Sequence, residues 1–221
     1  MTGPLALVGG GEWRDGCDFD ADLLDASGGK EVVVLPTAAA YEHPDRAVSA
    51  ATEWFKELGA AVRGLDVLQR RDALDPDAAA VVARARFVYL SGGSPLHLRS
   101  VLKETPLWEA LVTAWEGGAV VAGSSAGAMV LCDPMVDPRG GAYTVGLGLV
   151  ENLAVLPHAG PDLADTHRRS FELAGEGLVL AAVAEQTALV RNPDGRWTAA
   201  GAGSVTVYVD GQEKSLDALP G

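Results

Sequence analysis

Gly123-Ser124-Ser125-Ala126-Gly127-Ala128 separates an apolar run, Ala119 to Ala122, from a second apolar run of helical character, Ala128 to Leu131. A strand that passes into a helix through G-x-S-x-G has the pattern of a nucleophile elbow. The central serine of such a turn sits in a strained backbone conformation, and its neighbours must be small because larger side chains clash with the adjoining strand or helix. Ser125 stands at that centre. The stretch also admits a plainer reading, in which Ser124 caps a helix and the glycines serve packing. The rest of the chain decides between the two.

Upstream, Leu5–Val8, Val32–Leu35 and Phe87–Leu90 are short apolar runs, the second of them β-branched, closed by turn residues as buried strands are, and Val62–Val67 reads as a weaker strand. Helical patterns fall between them. Val48, Ala51, Phe55 and Leu58 share one face, with Trp54 beside it and Gly59 as a stop, and Asp75 to Arg84 is alanine-rich. Ser94-Pro95 and Thr105-Pro106 each open a helix, a cap followed by a first-turn proline, and Gly117-Gly118 ends the second. This alternation predicts an α/β fold, a mostly parallel sheet flanked by helices on both faces, with its site beyond the carboxyl ends of the strands. Ser91-Gly92-Gly93-Ser94 lies at one such end. Gly9-Gly10-Gly11-Glu12 lies at another, but it lacks the Gly-Lys-Ser/Thr ending of a phosphate loop and the G-x-G-x-x-G spacing of a dinucleotide site, so it reads as a plain strand-end turn.

Downstream, Asp133 to Gly146 is rich in proline, glycine and acidic residues without a period and reads as a surface loop. Leu153–Leu156 is a short strand that delivers Pro157-His158, and Asp162 to Ala174 reads as helix. Leu178–Val183, Thr187–Arg191, Trp197–Ala200 and Val205–Val209 read as strands, so the C-terminal third is β-rich. With 221 residues, 48% of them apolar, and no linker or repeat, residues 1–221 are expected to form a single domain. Seventeen basic against 30 acidic residues give a net charge of −13, which repels phosphate backbones and anionic lipid, so neither nucleic acid nor membrane is an expected partner. The two cysteines, Cys17 and Cys132, form no C-x-x-C pattern and suggest neither disulfides nor zinc. Without a signal-like or membrane-spanning run, the expectation is a soluble, cytoplasmic protein.

A serine nucleophile needs a base within hydrogen-bond reach and a third group to orient that base. His43 adjoins Pro44, His97 falls in a helix's first turn and His167 in mid-helix, whereas His158 follows a strand and should reach the sheet edge that carries the elbow. Position therefore favours His158 over His167. Glu185 follows a strand in the same way, while Asp162, Asp165, Glu172 and Glu176 belong to the helix and its flanks. An α/β-hydrolase, running serine, acid, histidine, would draw its acid from Asp133, Asp137 or Glu151 in or beside the irregular loop. The order Ser125, His158, Glu185 places each residue after a strand and is preferred. Oxyanion donors would be the backbone N–H of Ala126 and one from Gly92 or Gly93.

At this level the chain resembles the serine peptidases that include dipeptidase E (aspartyl dipeptidase) and cyanophycinase, which share the class I glutamine amidotransferase-like fold. The resemblance runs through Gly9-Gly10-Gly11-Glu12, Pro36-Thr37-Ala38-Ala39, Ser91-Gly92-Gly93, the elbow, Gly146-Leu147-Gly148-Leu149, Pro157-His158 and Glu185-Gln186-Thr187-Ala188-Leu189. It implies a Ser-His-Glu triad of Ser125, His158 and Glu185, acting on a short peptide without metal or cofactor, in a monomer or homodimer. Where cyanophycinases usually show Gly-Gly-Asp-Gln, this chain has Gly-Gly-Ser-Pro, which makes Ser94 a pocket residue and argues against cyanophycin as substrate. Members selective for N-terminal aspartate carry arginines after the histidine, and Arg168 and Arg169 stand there. Either could hold a side-chain or a C-terminal carboxylate, so aspartyl dipeptidase and carboxypeptidase readings both stand. The alternatives are a glutamine amidotransferase, which needs a cysteine where Ser125 stands, and a binding protein that kept the fold.

Overall fold

The first strand, β1 (Leu5–Val8), is buried along its whole length, as befits a strand covered on both faces. The computed structural model describes residues 1–163 and 165–221. After β1 come α1 (Phe19–Ser27), β2 (Glu31–Leu35), α2 (Pro44–Glu57), β3 (Ala61–Gly64), α3 (Arg70–Ala73), α4 (Pro76–Arg84), β4 (Phe87–Leu90), α5 (Pro95–Leu102), α6 (Pro106–Glu116), β5 (Val120–Ser124) and α7 (Ala126–Leu131). Local chemistry starts the helices where the sequence indicates. The side chains of Asp75, Ser94 and Thr105 accept backbone N–H groups of Asp77, His97 and Trp108, each ahead of a first-turn proline. Helix α1 was not expected from the sequence.

The second half runs β6 (Cys132–Asp133), β7 (Met135–Val136), β8 (Tyr143–Thr144), β9 (Val150–Glu151), β10 (Leu153–Leu156), α8 (Leu163–Thr166), α9 (Arg168–Leu173), β11 (Val179–Val183), β12 (Thr187–Arg191), β13 (Trp197–Gly201), β14 (Val205–Val209) and β15 (Gln212–Lys214). A seven-stranded sheet has the order β13-β12-β1-β5-β4-β2-β3. β1, β5, β4, β2 and β3 are parallel, and β12 and β13 are antiparallel additions at one edge. Helices cover both faces, and β4 shows this by alternation. Val88 and Leu90 enter a core with Leu98, Leu102 and Leu111, while Phe87 and Tyr89 enter the opposite core with Ala51 and Phe55.

Two expectations are corrected. Asp133 to Gly146 is not a featureless loop but contains β7 and β8, paired antiparallel through Met135–Thr144 and Val136–Tyr143. The span Asp162 to Ala174 is two short helices that meet at His167. A third difference concerns placement: β10 and β11 belong to a second, four-stranded sheet, β10-β11-β14-β15, and not to the sheet that carries the elbow. His158 therefore approaches Ser125 from a neighbouring layer.

Candidate active site

Ser125 links β5 to α7 with φ 48° and ψ −106°, a conformation costly for any residue with a side chain. Its neighbours are glycines for steric reasons. A Cβ on Gly127 would lie 2.4 Å from the Leu90 carbonyl oxygen, and one on Gly123 would lie 2.5 Å from the Gly127 carbonyl carbon. The elbow is thus wedged between β4 and its own helix, and the serine hydroxyl is thrust outward.

That hydroxyl lies 2.8 Å from His158 Nε2, and His158 Nδ1 lies 2.9 Å from Glu185 Oε1. A neutral imidazole that donates from Nδ1 to the carboxylate leaves Nε2 free to accept the serine proton. Gly10 makes room for the ring, since a Cβ there would fall 2.3 Å from His158 Cε1 at a φ of 118°. His158 and Glu185 keep about half of their side-chain surface exposed, 50% and 53%, so this hydrogen-bonded chain is open to solvent. Cys132 is fully buried, and its burial pushes the thiol well above its ordinary pKa, so it offers no nucleophile.

The structure sorts the remaining site residues. Gly93 and Ser125 line one cleft of about 460 Å³, and Ala126 follows Ser125 as the first residue of α7, where an N–H has no intrahelical partner. Gly92 is different: its N–H donates to Glu12 Oε1 at 3.2 Å and is not free for a substrate. Ser94 accepts the His97 N–H as the α5 cap and is not part of the cleft wall, which Pro95 joins instead. Arg168 points elsewhere and pairs with Glu172 at 3.3 Å, both exposed. Arg169 does line the cleft, with no carboxylate within ion-pair distance among the described residues.

His167, also on the wall, is half-buried, and this burial lowers its pKa despite the opposing charge of Asp162. It is not the group bonded to Ser125. The supposed surface loop supplies Val136, Asp137 and Arg139 to the cleft, which its turn-like sequence did not reveal. Arg139 grips Asp137 through two contacts, Nε to Oδ1 at 3.0 Å and Nη2 to Oδ2 at 2.6 Å, and holds that carboxyl down at about 2. Its charge is thereby matched, and Arg169 is left as the wall's unmatched cation. The Tyr143 hydroxyl donates to the Ser170 carbonyl at 2.7 Å and latches this loop to α9. Among the described residues no group of three or more His, Cys, Asp or Glu is arranged to hold a metal ion.

Fold and site together define a serine hydrolase built on a mainly parallel α/β sheet. Residues 5–195 match Peptidase family S51, and the chain belongs to that family; it is a serine peptidase. A cyanophycinase of Synechococcus elongatus is 29% identical over 222 aligned residues, covering 93% of this chain and 67% of its own length. Peptidase E of Citrobacter koseri is 29% identical over 188 residues, 81% of this chain and 77% of the relative. The crystal structure of a peptidase from an acI-B1 Actinobacterium superposes with a TM-score of 0.84 at 31% identity, covering 97% of this chain and 93% of that one. No helix among the described residues is long and apolar enough to cross a membrane.

Proposed function

We propose that the protein is an exopeptidase of short peptides in which Ser125 is the nucleophile, His158 the general base and acid, and Glu185 the group that orients and charge-stabilises the imidazole. The hydrogen-bonded chain from Ser125 through His158 to Glu185, at 2.8 and 2.9 Å, carries this reading. Ser125 Oγ attacks the scissile carbonyl carbon as its proton passes to His158 Nε2, giving a tetrahedral oxyanion faced by the N–H groups of Gly93 and Ala126. Collapse breaks the C–N bond, and the proton on Nε2 goes to the leaving amine. Water then repeats the sequence on the acyl-enzyme and frees Ser125.

The short-peptide reading is supported by a cleft of about 460 Å³ whose wall includes Arg169, a cation with no carboxylate partner among the described residues and suited to a substrate carboxylate. A cytoplasmic location fits two buried free thiols, Cys17 and Cys132, a state that a reducing compartment maintains, and a monomer or homodimer is the proposed state. A panel of dipeptides and of tripeptides blocked at the N terminus, the C terminus or both, assayed for free amine, tests the proposal. Hydrolysis that requires one free terminus and disappears in Ser125→Ala supports it. Equal turnover by Ser125→Ala, or cleavage only of peptides blocked at both ends, overturns it.

A further inference from the structure

The turn after β1, a mere strand end by its sequence, meets every segment of the catalytic apparatus. The carbonyls of Val8, Gly9 and Gly10 accept the backbone N–H groups of Ser125, His158 and Gln186 at 2.9, 2.7 and 2.8 Å. Each bond holds one member of the triad, or the residue next to it. Two positions farther on, Glu12 extends the set with its side chain. Its Oε2 accepts the Ser124 hydroxyl at 2.7 Å, and its Oε1 accepts the Gly92 N–H at 3.2 Å. Ser124 is completely buried, so its hydroxyl requires an acceptor, and Glu12 provides it.

One carboxylate therefore bridges the elbow and the glycine loop that faces it. Gly92 lies close enough to Ser125 that a Cβ on it would sit 3.6 Å from the serine Cβ and 3.3 Å from Glu12 Oε1. We infer that Glu12 is a positioning residue of the oxyanion hole, clamping Gly92 to Ser124 so that the N–H groups of Gly93 and Ala126 are held toward the same point beside Ser125. The inference rests on the serine-peptidase mechanism with Ser125 as nucleophile. Glu12 touches neither substrate nor Ser125 Oγ and acts through the two groups it holds. Charge appears on the oxyanion only in the transition state, so a misplaced donor lowers kcat and the acylation rate and leaves ground-state binding largely intact. The hydrogen bond to Glu12 also turns the Gly92 N–H away from the cleft, which leaves the next N–H, that of Gly93, as the donor.

The test compares the parent with Glu12→Ala, Glu12→Gln, Ser124→Ala and the Glu12→Ala/Ser124→Ala double variant. Each is measured for the rate of Ser125 phosphonylation by a fluorophosphonate, for kcat and KM on the best peptide of the panel, and for melting temperature. Glu12→Ala should slow both phosphonylation and kcat by roughly 10- to 100-fold while KM stays within about threefold. Glu12→Gln keeps one oxygen for Gly92 and offers Ser124 an amide donor, so it should recover to within about fivefold of the parent. The double variant should be no slower than Glu12→Ala, because the two side chains act as one unit. An unchanged kcat in Glu12→Ala, a loss confined to KM, or a Glu12→Gln as slow as Glu12→Ala overturns the inference. Should Glu12→Ala fail to fold, Ser124→Ala decides, since it removes one arm of the clamp: a slowed kcat with unchanged KM supports the inference and a parental kcat overturns it. A parent that neither labels nor cleaves any peptide overturns the proposed function as well, whereas an active parent with fully active Glu12 variants overturns this inference alone.

Discussion

Arg168 and Arg169 are neighbours on a short helix, yet only one of them meets the cleft. Arg168 lies in an exposed pair with Glu172, of the kind that contributes little to stability, and Arg169 lines the same cavity as Ser125 and His158. If Arg169 holds a substrate carboxylate, Arg169→Ala should lower kcat/KM for carboxylate-bearing peptides by roughly 10- to 100-fold, mostly through KM, which is the range of a charge-assisted hydrogen bond. Arg168→Ala should stay within about twofold. Equal effects from the two substitutions would show that Arg169 is not the anchor. The sequence could not rank them, because α8 and α9 are too short for a periodic stripe to tell the inner face from the outer. It did single out Ser125, His158 and Glu185, which the fold joins in one hydrogen-bonded chain, although β10 and β11, which deliver the last two, lie outside the elbow's sheet. Ser94 carried two competing signals, pocket residue and helix cap, and the cap prevailed because the Ser94 oxygen accepts the His97 N–H. Glu12 and Arg139 went unread, because their partners, Ser124 and Gly92 for the first and Asp137 for the second, are set by tertiary placement or by turns without a period.

At the scale of elements, α7 packed tight on the directly paired strands β4 and β5 wedges the elbow in place. Gly127→Ala tests it cleanly, because the Cβ would meet the backbone oxygen of Leu90 at 2.4 Å, an atom that cannot swing aside as a side chain would. The helix must separate from β4, at a cost of about 2–4 kcal/mol. For a chain of this size that is a fall in melting temperature of roughly 5–15 °C, with loss of fluorophosphonate labelling; a melting point within about 2 °C of the parent would show that the wedge has slack. The parallel strands were legible because strands buried on both faces read as unbroken apolar runs, as Phe87–Leu90 does. Helix α1 was hidden because Asp20, completely buried, interrupts the apolar stripe of Phe19, Leu23 and Leu24. The division into two sheets was hidden for another reason: a short apolar strand does not carry the identity of its partner. His158 reaches the site because its N–H bonds to Gly9 across the two sheets, and not because its strand lies beside the elbow's.

For the molecule as a whole, Asp20 couples the fold to pH. One carboxyl oxygen accepts the Trp54 indole N–H at 3.0 Å, and the other has no partner among the described residues. Burial pushes this carboxyl up to about 8; the Trp54 hydrogen bond opposes the rise and the charge of Glu12 adds to it. In the unfolded chain the group returns to an ordinary value of about 3.9. Between those two values the folded state holds a proton that the unfolded state has released, so stability falls as pH rises. The contribution is fully present below about pH 4 and is lost by the time pH passes about 8. Asp20→Asn removes the titration while keeping an oxygen for Trp54. The variant should therefore lack this part of the parent's decline and be more stable than the parent near pH 8 by roughly 2–4 kcal/mol, or some 5–15 °C in melting temperature. Near pH 4 the advantage should vanish. The general effect of a net charge of −13, which also grows more repulsive with rising pH, largely cancels in the difference between the two proteins. Melting curves at half-unit steps from pH 4 to 9 measure that difference, and parallel profiles for parent and variant would mean that Asp20 is ionised in the folded protein throughout the range.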